Sequence, residues 1–106
     1  MTTGDREKRQ HPRFEIPLEG TIHTGNDDVP CRIRNLSVGG ALIEAETSLR
    51  PGHLFDIEVP EIGTMSARMT RMNWKFAGIR LEEGNEKVSA FLGDWLERQP
   101  QHTQSP

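Results

Sequence analysis

From Phe14 to Leu81 the chain alternates apolar and polar residues with a period of two, and such a pattern buries a face only as β-strands. Phe14, Ile16, Leu18, Gly20 and Ile22 alternate with Glu15, Pro17, Glu19 and Thr21, predicting a first strand with one buried face. Pro17 falls in the outward set, where a missing N–H is tolerated at an edge or an irregular start. Gly25-Asn26-Asp27-Asp28 reads as the following turn. A second strand runs from Val29 through Cys31 and Ile33 to near Asn35, and Ala41, Ile43 and Ala45 form a third. After the turn at Arg50-Pro51-Gly52, a fourth strand carries Phe55, Ile57 and Val59 up to Pro60. Met65, Ala67 and Met69 mark a fifth, and Gly78-Ile79-Arg80-Leu81 closes the β region. Short strands at this spacing predict a small antiparallel barrel or sandwich.

The period changes once. Val88, Phe91, Leu92, Trp95 and Leu96 fall at i, i+3, i+4, i+7 and i+8, the apolar face of a helix running from Asn85 to about Arg98. Asn85 is the expected N-cap, Glu86 suits the positive end of the helix, and Pro100 stops it. Gly93 costs an isolated helix about 1 kcal/mol relative to Ala, so this one needs a packing partner, expected to be the open end of the barrel.

At 106 residues the chain holds one domain. Its mean hydropathy of −0.67 is low for a globule of this size, which leaves length over for tails. The expected division is a flexible basic arm over 1–12, a barrel with its helix over 13–98, and a disordered tail over 99–106. The net charge is −3, yet residues 1–13 carry Arg6, Lys8, Arg9 and Arg13 against Asp5 and Glu7, so a basic arm precedes an acidic body. An acidic body argues against DNA or RNA as a partner. An oligonucleotide binder would also need an aromatic-studded basic face, and the chain has no Tyr. The burial of Trp74 is the one aromatic position the pattern leaves open. No apolar run reaches the ~20 residues of a membrane span and no signal-peptide core is present, so no membrane insertion and a cytoplasmic location are expected. Cys31, the single cysteine, excludes an internal disulfide.

Enzyme signatures are missing. His11, His23, His53 and His102 lack metal-ligand spacing, and there is no phosphate loop or Gly-x-Ser-x-Gly elbow, so neither catalytic residues nor a cofactor are expected. Two short features remain. Arg9-Gln10-His11-Pro12-Arg13 places two arginines four positions apart, and Asn35-Leu36-Ser37-Val38-Gly39-Gly40 is a polar turn between strands. Each is common alone. In this order, with 22 positions between Arg13 and Asn35, they resemble the signature of the PilZ domain, Arg-x-x-x-Arg followed by [Asp/Asn]-x-Ser-x-x-Gly. The resemblance extends from about Lys8 to Leu81, including the His-Pro-Arg-Phe opening and Gly78-Ile79-Arg80-Leu81.

That resemblance implies a six-stranded antiparallel β-barrel and a bacterial receptor for cyclic di-GMP. The ligand-binding residues it implies are Arg9, Arg13, Asn35, Ser37, Gly39 and Gly40. Their chemistry suits such a ligand. A guanidinium forks onto a phosphate or a guanine edge and stacks on a base, Asn35 and Ser37 offer donors and acceptors, and glycines admit close backbone approach. Asn35 stands where the family often has Asp, removing a charge and one acceptor oxygen. Lys8, directly before Arg9, occupies the position where a basic residue goes with two stacked ligands in the family. The arm is expected to order over the ligand and signal to a downstream protein in motility, exopolysaccharide or biofilm control. The alternative is a protein-interaction adaptor that binds no nucleotide, which retention of every signature position disfavours.

Overall fold

The computed structural model describes residues 12–99. Six strands, β1 (Leu18–His23), β2 (Asp28–Ser37), β3 (Gly40–Glu44), β4 (Leu54–Val59), β5 (Gly63–Asn73) and β6 (Phe76–Glu83), precede one helix, α1 (Asn85–Glu97). The strands close into an antiparallel barrel in the order β1-β2-β3-β6-β5-β4, with β4 returning to β1. This is the predicted architecture. The closing seam is short: only Thr21–Glu58, Ile22–Ile57 and His23–Asp56 pair between β1 and β4.

The inward half of each alternation fills the barrel. Ile22, Ile43, Ile57, Val59 and Met69 are fully enclosed, with Ile33, Phe55, Met65 and Ala67 beside them. Burial of side chains of this size, at roughly 1.5–3 kcal/mol each, is the main force holding so small a barrel together. From α1, Val88 and Leu92 join the same core while Phe91 and Trp95 pack partly against it. Leu96 departs from the expected stripe. It is 41% exposed, at the outer edge of the apolar face in the last helical turn.

Three local expectations need correction. The first strand starts at Leu18, since Pro17 supplies no N–H and the stretch before it touches the sheet only where Phe14 and Leu36 exchange backbone hydrogen bonds of 2.9 Å. The residue before the helix is Gly84, not the expected side-chain cap Asn85: Gly84 sits in the left-handed region (φ 101°), and Asn85 is already helical. A Cβ on Gly84 would also collide with the Met65 side chain, so strand-to-helix packing wins over capping chemistry at this corner. Third, Arg13, grouped by its charge with the basic arm, adjoins Phe14, whose backbone is bonded to Leu36 of β2.

Trp74 is 78% exposed at the β5–β6 hairpin, with φ at 62° and the Lys75 ammonium 4.9 Å from its ring centroid. It contributes nothing to the core. Among the described residues no helix is long and apolar enough to cross a membrane.

Candidate ligand-binding groove

Arg13 stands at the mouth of the barrel because two contacts hold its neighbour. The Phe14 backbone is paired with Leu36, and the Phe14 ring meets Trp95 of α1 edge-on, with centroids 5.8 Å apart. From that anchor the Arg13 guanidinium reaches β2, where Nη1 donates to Asn35 Oδ1 at 3.2 Å. Asn35 can accept there because the β2–β3 register shifts between Ile33 and Asn35, so that Arg34 and Asn35 both leave the inward face.

Two residues farther on, the Ser37 hydroxyl donates to the Gly40 carbonyl oxygen at 3.3 Å across the turn into β3. Ser37 is only 8% exposed, and it shapes the turn from within. The Gly39 carbonyl accepts from the Leu81 amide at 2.9 Å, which pins the turn to β6. Gly40 has a packing reason to be glycine: a Cβ there would collide with the Ile79 carbonyl oxygen on β6. Arg13, Asn35, Ser37, Gly39 and Gly40 are thus gathered at one end of β2, β3 and β6. Lys8 and Arg9 lie outside the described residues.

Beside Arg13 a groove of about 270 Å³ runs over β3, β6 and β5, lined by Arg13, Ala41, Leu42, Thr70, Arg71, Gly78 and Ile79. Thr70, Arg71 and Gly78 have no place in the signature, and sequence reasoning missed them. A clue was present in Met69-Thr70-Arg71-Met72, where two polar residues in succession break the alternation. The β5–β6 register shifts between Met69 and Arg71 at that point, and both Thr70 and Arg71 face outward.

Charge sets this groove apart from the larger hollow of about 510 Å³ over β1, β2 and β3. That hollow is lined by Glu19, Arg32, Glu44 and Lys75, which neutralise one another through Arg32–Glu19 and Lys75–Glu44 pairs of 3.8 and 3.2 Å. Arg34, Arg68, Arg80 and Arg98 are likewise held by carboxylates. Arg68 and Arg80 together keep the Glu82 carboxyl below its ordinary range. Among the described residues only Arg13, Arg50 and Arg71 among the arginines lie near no carboxylate, and two of those three line the groove. An acidic domain that leaves two guanidiniums uncompensated in one place has the electrostatics of an anion site.

The sequence model of the PilZ domain matches residues 7–94. The chain belongs to the PilZ domain family. PilZ domains are binding and adaptor domains, and cyclic di-GMP is the family's ligand. No curated protein matches this chain.

Proposed function

We propose that this PilZ chain is itself a cyclic di-GMP receptor, binding the dinucleotide at the end of β2, β3 and β6 and in the adjoining groove. The observation that carries this reading is the 3.2 Å contact between Arg13 and Asn35, which brings the two halves of the signature together across 22 residues. Arg13 supplies a guanidinium for a phosphate or a guanine edge, and Arg9 supplies the second from the arm. Asn35 and the Ser37 turn present polar groups to the base, while Gly39 and Gly40 keep that approach free of side chains. Lys8 stands ready to neutralise the added phosphates of a second, stacked ligand. Binding draws the arm onto the barrel and changes the surface offered to a downstream protein. Cyclic di-GMP is an intracellular messenger, which places the receptor in the cytoplasm.

Arg13→Ala tests this directly. The substitution should weaken cyclic di-GMP binding by ~1–3 kcal/mol, the worth of a charge-assisted hydrogen bond. Because Arg13 is exposed and the Phe14–Leu36 pairing is made by backbone, the melting temperature of the free protein should stay nearly unchanged. Undiminished binding by the variant contradicts the assignment of Arg13.

A further inference from the structure

We infer that Arg71, a residue outside the signature, is a specificity-determining contact for one guanine base of the ligand. The inference rests on the cyclic di-GMP reading and extends it to the β5 side of the groove.

Three observations converge on Arg71. First, the β5 register shift between Met69 and Arg71 turns Thr70 and Arg71 outward in succession, and Arg71 then pairs with Gly78 of β6. Bulges re-aim side chains, and this one aims a guanidinium at the groove that Arg13 enters from the other side. Second, Gly78 leaves room for it. A Cβ at Gly78 would come within 3.1 Å of Thr70 Oγ1, 3.5 Å of Arg71 Cγ and 3.6 Å of Arg71 Nε. The Arg71 side chain therefore lies down along the bare backbone of β6, and Thr70 fastens the same place by donating its hydroxyl to the Gly78 carbonyl oxygen at 2.8 Å. Third, among the described residues no carboxylate neutralises Arg71, whereas Arg68, on the same strand, is held 3.1 Å from Glu82.

The surroundings distinguish base from phosphate. With Arg13 and Arg71, the groove is lined by Ala41, Leu42, Gly78 and Ile79, and by Thr70 as its one other polar side chain. A phosphodiester set against Leu42 would lose hydration there. A flat base covers it well, leaving its polar edge and its ring face to a guanidinium. Arg71 contacts such a base as a stack or as a fork onto O6 and N7, and either mode requires a planar group. Lysine keeps the charge but has no plane.

The test titrates the full chain and three variants with cyclic di-GMP, with melting temperatures recorded in parallel. Arg71→Ala and Arg71→Lys should each lose at least tenfold in affinity, because charge alone does not replace the plane. Arg50→Ala, which removes another arginine with no carboxylate partner among the described residues, should bind within about twofold of wild type. Gly78→Ala provides an independent check, since its Cβ would press on Thr70 Oγ1 at 3.1 Å and disturb the bond that fastens this place, which should also weaken binding while Arg71 itself is retained. Wild-type affinity in Arg71→Ala, or full recovery in Arg71→Lys, overturns the inference while the wild-type titration still upholds the receptor reading. Absence of binding by the wild type overturns both.

Discussion

Both ring nitrogens of His23 face carboxylates, Nδ1 at 2.8 Å from Asp28 and Nε2 at 2.9 Å from Glu58. An ionised carboxylate only accepts, so both nitrogens donate when the ring is the imidazolium. The two hydrogen bonds, Asp28 first and Glu58 second, raise the His23 pKa above its ordinary 6.5. A raised folded pKa stabilises the folded state fully below the unfolded value, and that contribution is lost as pH rises through the folded value. The melting temperature of wild type should therefore fall as pH is taken from about 6 upward through the His23 transition. His23→Gln should flatten that part of the profile, and an unchanged profile would show that His23 does not fasten the seam between β1 and β4. The site is half-exposed, so solvent screening keeps the effect small. Cys31 behaves oppositely. Burial pushes its thiol up to about 11, so it is a core side chain rather than a nucleophile. At this scale Asn35 and Ser37 were legible because their signature is contiguous text. The Arg13–Asn35 hydrogen bond was not, because it depends on where the chain carrying Phe14 crosses β2.

The helix shows how an element depends on its packing. Val88 and Leu92 are buried while Gly93, one residue on, faces open space, with no atom within 4 Å of where its Cβ would stand. Gly93 therefore carries the entropic cost of glycine in a helix with no close contact to justify it. Gly93→Ala should stabilise the protein by about 0.5–1 kcal/mol in urea unfolding, with an unchanged denaturant slope. A loss of stability would mean that something covers this face of α1. The period of 3.6 was readable because four of its five apolar residues do meet the core or its margin. The cap was misread, since Asn85 has a good capping side chain but the corner is decided by Met65, which leaves no space for a Cβ at Gly84. Strand ends were misread for related reasons. Bulges in β2 and β5 are responses to the curvature of a closed barrel, and a two-residue alternation carries no record of curvature.

Across the whole molecule the strand order sets where the uncompensated cations stand. The groove over β3, β6 and β5 is lined by Arg13 and Arg71, whereas Glu19 of β1 is paired with Arg32 and Glu58 of β4 with His23. A dianionic ligand approaching this barrel meets, at the groove, guanidiniums with no carboxylate partner among the described residues. Six strands and a helix were legible before the structure, but their alternation left barrel and sandwich open, and closure was implied only by the resemblance to the PilZ family. The meeting of Arg13 and Arg71 at one groove was not legible, because it depends on which strands become neighbours. The central claim is that these parts form a receptor for cyclic di-GMP, and calorimetric titration of the full chain tests it most directly. The account predicts saturable heat with cyclic di-GMP, much weaker binding of GMP and GTP, and affinity that falls as salt is added because the cations are exposed. No heat at high micromolar cyclic di-GMP, or equal binding of GMP, would contradict it.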